Sequence, residues 1–102
     1  MTRYQIIYWR DIPVQVKVRD GGARLSRPLS PRFQKTVYRA AYRARAINGS
    51  EYIQEWRPSD WVELDKGAQE VMTTVSAELE SDYSDERLDR LARNKGFEDD
   101  DD

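Results

Sequence analysis

A chain of 102 residues carrying a net charge of −2 has room for one domain and one modest core. It contains no cysteine and no histidine, which excludes disulfides, thiolate nucleophiles, zinc–thiolate sites, directly ligated iron–sulfur clusters and the usual Ser/His/Asp relay. The small net charge hides an asymmetry: Met1 to Ala46 carry 11 Lys/Arg against 2 Asp/Glu, a balance of +9, whereas Ile47 to Asp102 carry 6 against 17, a balance of −11.

Two accounts of that asymmetry follow. In the plainer one, opposite halves of a small fold attract one another across its surface; in the sharper one, the basic half faces an acidic partner and the acidic end competes for it. No run approaches the 18 or so apolar residues of a membrane span, and Met1-Thr2-Arg3 leads directly into a strand pattern with no signal-peptide core. The expectation is a soluble cytoplasmic protein with no membrane partner.

Tyr4 to Trp9 is apolar on both faces, the pattern of a central strand or of an exposed binding surface. Arg10-Asp11-Ile12-Pro13 interrupts it, and Val14, Val16 and Val18 then alternate with Gln15, Lys17 and Arg19 as a strand with one wet face. Asp20-Gly21-Gly22 is a turn signal, and Ala23 to Arg27 returns as the third strand of a hairpin, with Arg24 and Arg27 outward. Pro28 ends the ladder. Ser30 then stands as N-cap and Pro31 as the first residue of a helix predicted to reach Ile47.

That helix carries Phe33, Val37, Ala40, Ala41, Ala44 and Ile47 on one stripe, and Arg32, Lys35, Arg39 and Arg43 on the opposite one, with Tyr38 and Tyr42 beside them. Such a basic row grips phosphates, or else it is a solvated face whose arginine stems cover apolar surface and meet carboxylates of the acidic half. Glu51 to Arg57 reads as a fourth strand, with Tyr52, Gln54 and Trp56 on one side. Trp61 to Leu64 reads as an apolar connector, and Asp65 as the cap of a helix reaching Asp82 with Ala68, Val71, Met72, Val75 and Leu79 inward. Ser84 caps a third helix, Tyr83 packs on Leu88 as a hydrophobic staple, and Gly96 fits the position just past its end. Residues 1–96 form the predicted domain. Phe97, Glu98 and the aspartates that follow are predicted to be a disordered acidic tail.

Tyr8-Trp9-Arg10-Asp11-Ile12-Pro13 with Gln15, a basic hairpin, Arg32-Phe33-Gln34 opening a helix, and Glu55-Trp56 near a strand end resemble the small bacterial virulence factor domain family, which includes the conserved virulence factor C proteins. The likeness covers roughly Tyr4 to Leu91. It implies an α+β domain without an established reaction. In larger relatives a similar unit stands beside HEAT-like repeats and a region like the N-terminal part of an iron–sulfur scaffold protein, neither of which is present in this sequence.

The resulting expectation is an α+β fold in the order β-β-β-α-β-α-α, a mostly antiparallel four-stranded sheet with helices on one face. Its contact residues are Trp9, Arg10, Asp11, Pro13 and Trp56: a flat aromatic anchor, a bidentate donor and an extended corner of the kind that interface hot spots use. The plainer reading makes the same corner structural, with Trp9 in the core and Arg10 paired to Asp11. Asp11 and Glu55 are the carboxylates available for acid–base work, but the chain has no Gly-rich phosphate loop, no G-x-S-x-G and no metal-loop motif. A non-enzymatic protein-interaction or accessory module with no cofactor is therefore expected. The alternatives are an anionic-ligand or nucleic-acid binder acting through Arg32, Lys35, Arg39 and Arg43, and an accessory subunit of a cofactor-bearing enzyme.

Overall fold

The computed structural model describes residues 1–46 and 49–98. Its elements run β1 (Thr2–Trp9), β2 (Ile12–Asp20), β3 (Ala23–Pro28), α1 (Pro31–Arg43), α2 (Ser50–Gln54), β4 (Trp56–Pro58), β5 (Val62–Leu64), α3 (Ala68–Asp82) and α4 (Asp85–Arg93). The sheet order is β3-β2-β1, with β4 and β5 both on the far side of β1, and every pairing is antiparallel. This is the expected α+β fold. Strand β1 is central in the sheet, with Tyr4 and Ile6 turned to the core and Gln5 and Ile7 half-buried on the other face.

Alternation assigns the two sheet faces. Val16 and Val18 stand opposite Ile6 and Tyr4 and join Phe33, Val37, Ala40 and Ala41 of α1 and Val71, Met72, Val75 and Leu79 of α3 in one core. Arg3, Lys17 and Arg19 point the other way and are exposed. Arg24 stands opposite Arg19 on that open face, whereas Arg27 stands opposite Val16, so the two arginines expected to share a side lie on different ones. The register shifts between Ile7 and Tyr8, where Val14 is the extra residue on β2 and its carbonyl accepts the Leu29 N–H at 2.8 Å.

Several local expectations are corrected. Glu51 to Gln54 belong to the short helix α2, and only Trp56 to Pro58 are strand; Tyr52 and Trp56 are four apart, a spacing that fits a helix turn as well as strand alternation. The connector Trp61 to Leu64 contains strand β5. Gly67 rather than Asp65 precedes the first turn of α3. Ser30 does stand at the N-cap of α1, but its side chain accepts no helix N–H; its hydroxyl donates to Glu80 Oε1 at 2.8 Å and its N–H to Glu80 Oε2 at 2.7 Å. Helix α1 stops at Arg43, with Arg45 in the left-handed region at φ 59° and the Ala46 N–H returning to the Ala41 carbonyl. Ile47, expected to close its stripe, lies outside the described residues.

The third helix forms as its sequence signals indicate. Ser84 Oγ accepts the Arg87 N–H at 3.1 Å, and Tyr83 and Leu88 are both in the core. Its end is closed by Lys95 at φ 62° and by Gly96, whose N–H reaches the Leu91 carbonyl at 2.7 Å. Of the expected tail, Phe97 and Glu98 make defined contacts described below, and residues 99–102 lie outside the described residues.

Candidate functional site

The corner between β1 and β2 is a two-residue connection, Arg10-Asp11, because Trp9 pairs with Ile12. Arg10 takes φ 53°, a left-handed conformation that a side chain disfavours, and the surroundings hold it there. Its N–H donates to the Glu55 carbonyl at 3.1 Å, and Nη1 donates to the Lys95 carbonyl at 2.8 Å. The guanidinium lies 4.9 Å from the Trp9 ring centre and 4.7 Å from that of Phe97. Arg10 Nε is buried without a hydrogen bond; Glu55 Oε1 is 3.4 Å away, close enough for attraction but not aligned to accept.

Asp11 completes the arrangement. Its N–H donates to the Gly96 carbonyl at 2.9 Å, one carboxylate oxygen accepts the Glu98 N–H at 2.7 Å, and the other meets Arg57 at 3.1 Å. Gly96 is required at this contact: at φ 95°, a Cβ there would stand 2.9 Å from Trp9 Cζ3. The corner thus fastens residues 95–98 across the end of the sheet. Trp9 has no exposed surface, its indole N–H donating to the Tyr52 carbonyl at 2.9 Å, and Pro13 is also fully buried. The expectation that these two touch a partner is corrected on steric grounds, since neither presents an atom to solvent. Trp56 is half-buried and packs edge-on to Tyr52, so of the five expected contact residues only Arg10, Asp11 and Trp56 retain any surface.

The carboxylates considered for acid–base work are each tied to a different cation, Glu55 to Arg10 and Asp11 to Arg57. Beside the corner, Tyr8, Asp11, Arg57, Tyr83 and Glu98 line a cleft of about 550 Å³. Burial pushes the Tyr83 phenol up to about 12 and raises that of Tyr8. Both are therefore neutral at pH 7, and neither is poised to exchange a proton there. Glu98 lies against Arg87, and this hydrogen bonding raises the guanidinium further. The cations of the cleft are already matched.

The basic row of α1 is divided. Arg32 reaches Glu80 and Asp85 and donates to the carbonyls of Tyr83 and Glu80, and Arg39 meets Asp89 at 2.7 Å, which also holds Arg93. Hydrogen bonding from Arg39 lowers the Asp89 carboxyl below its ordinary value. Two of the four residues thus join the halves of the fold together, as the plainer account of the charge asymmetry holds. Lys35 and Arg43 are exposed and make no ion pair among the described residues.

The sheet face without helices differs. Arg3, Arg19 and Arg24 are register partners across three adjacent strands, and Lys17 lies two residues along β2 from Arg19. Like charges directly opposite one another are unfavourable, and among the described residues none of these four makes an ion pair. Trp61, in the interruption between β4 and β5, partly compensates: the guanidiniums of Arg3 and Arg19 lie 5.3 and 4.9 Å from its ring centre. The sequence signal for this row was the outward positions of Lys17, Arg19 and Arg24. It became a row only once the register placed Arg3 beside Arg19 and carried Trp61 over both.

A two-layer α+β domain with a charged open sheet face is the class that fold and surface define. The virulence factor family model matches residues 7–92, and the chain belongs to that family. No curated protein and no solved structure matches it significantly. Among the described residues, no helix is long and apolar enough to cross a membrane.

Proposed function

We propose that this chain is a non-catalytic cytoplasmic docking module of the virulence factor family that receives an acidic protein surface on the helix-free face of its sheet. The observation that carries the reading is the cross-strand row Arg3, Arg19 and Arg24, which makes no ion pair among the described residues and has one carboxylate, Glu63, opposite Arg3 at its end, whereas Arg32 and Arg39 of the helical layer are both paired. An excess of positive charge on a flat face raises the encounter rate with a complementary surface and disfavours partners of like charge.

The test is a tagged pull-down from the native host with the wild-type chain and with Arg3→Glu/Arg19→Glu, at low and moderate salt. A recurring acidic protein that the wild type retains and the variant loses supports the reading. The same partner retained by both refutes it. Nucleic acid in the wild-type eluate, removed by the substitutions and by rising salt, replaces it with polyanion binding on the same face, a reading that the exposed arginines around Trp61 also support.

A further inference from the structure

We infer that the occupant of the open sheet face is an acidic α-helix of a partner protein, laid across the strands with carboxylates on one stripe at successive turns. This rests on the docking reading above. The geometry of the row selects the form of the partner. Neighbouring strands lie about 4.8 Å apart, so the backbone positions of Arg3, Arg19 and Arg24 span roughly 10 Å perpendicular to the strands. On a helix, residues three or four apart stand about 5 to 6 Å from one another, and residues seven apart are separated by about 10.5 Å along the axis. Three carboxylates at i, i+3 or i+4, and i+7 therefore meet the three arginines together.

An extended acidic segment lacks that match. Its side chains on one face recur every 6.8 Å or so, and three of them span roughly 13.5 Å. The stacking of Arg3 and Arg19 on Trp61 makes spacing matter, because two of the three guanidiniums are held against an indole rather than free to sweep across the surface. The row also has a direction. Glu63 of β5 stands opposite Arg3 at one end, so across the sheet the charges read Glu63, Arg3, Arg19, Arg24. The complementary stripe has one Lys or Arg followed, at turn-spaced intervals, by three Glu or Asp. Lys17, next to Arg19 along β2, faces the flank of such a helix and favours a further carboxylate there.

The experiment measures binding of synthetic peptides to the full chain by fluorescence anisotropy. One peptide is helical with the Lys, Glu, Glu, Glu stripe at turn spacing; a second has the same composition with its charges on alternate residues and prolines that prevent a helix; the third probe is oligo-dT. The turn-spaced peptide is expected to bind about tenfold more tightly than its isomer, three exposed charge contacts each contributing modestly. Arg19→Glu should abolish that binding, and Arg24→Glu, at the sheet edge, should weaken it independently, each variant retaining a wild-type melting curve. Equal affinity for the two peptides overturns the helical occupant while leaving the docking reading intact. No binding of either peptide, or binding that both substitutions leave unchanged, overturns the docking reading itself. Tighter binding of oligo-dT than of either peptide overturns both.

Discussion

Arg10 is held in an unfavourable backbone conformation by the contacts of its own side chain, and two substitutions at this one position separate the two effects. Arg10→Ala removes the bond to the Lys95 carbonyl, about 1.5 to 3 kcal/mol for a charged donor, and the stacking on Trp9 and Phe97, roughly 0.5 to 1 kcal/mol for each ring. Against this stands the entropy recovered when a long ordered side chain is deleted, up to about 2 kcal/mol. The net expectation is a loss of roughly 2 to 3 kcal/mol. Arg10→Gly loses the same contacts but relieves the strain of φ 53°, so it should be about 1 kcal/mol more stable than Arg10→Ala. Urea unfolding of the wild type and both variants, followed by circular dichroism, measures each difference. Wild-type stability in Arg10→Ala would show that the clamp does not hold residues 95–98, and a glycine variant less stable than the alanine variant would refute the strain argument.

Gly96→Ala should lose about 2 to 3 kcal/mol, combining a disfavoured φ of 95° with a new methyl 2.9 Å from Trp9 Cζ3, and its melting temperature should fall by roughly 10 °C in a thermal scan. Trp9→Ala should lose about 3 to 5 kcal/mol, since the indole is fully buried, and a melting temperature within a degree or two of wild type would return Trp9 to the surface. The carboxyl of Glu80 titrates below its ordinary value; burial, the largest single influence, opposes this, but the Ser30 N–H and hydroxyl and the Arg32 guanidinium together outweigh it. Its contribution to stability is thus fully present above the unfolded carboxyl value and is lost as pH falls through the lower folded one. Urea midpoints of wild type and Glu80→Gln should differ at pH 7, and the difference should shrink as pH falls below the ordinary carboxyl value of about 4.3.

Much of the architecture was legible because the relevant signals are local. Ser84 before Asp85 and Glu86, Pro31 after Ser30, and the alternation of Val14, Val16 and Val18 each report a conformation within a few residues. The stretch from Glu51 to Arg57 was not, because Tyr52 packs on Trp9, 43 residues away, and Trp56 packs on Tyr52 in turn, contacts that no local pattern encodes. Arg10 and Asp11 stand out in the sequence, where the expectation is that they pair with each other or with a partner, but their actual partners, Lys95, Gly96, Glu98, Glu55 and Arg57, lie 45 to 87 residues away. The arginine row depended on register, which hydrophobic alternation constrains only on the buried face.

The two edges of the sheet are protected by unlike means. On one side β4 and β5 are two three-residue pieces of a single edge, with Pro58 lacking an N–H and one residue too many between them to keep the register of β1. On the other, β3 is longer and continuous, but Arg24 and Arg27 lean to opposite faces of it and Pro28 closes it. Two copies meeting along β3 would bring like charges together above and below the new ladder, and two meeting along the interrupted edge would find no continuous line of backbone donors. A protein with only 102 residues and a sheet open on one face therefore resists self-templated fibre growth through its geometry, without needing a lid over that face.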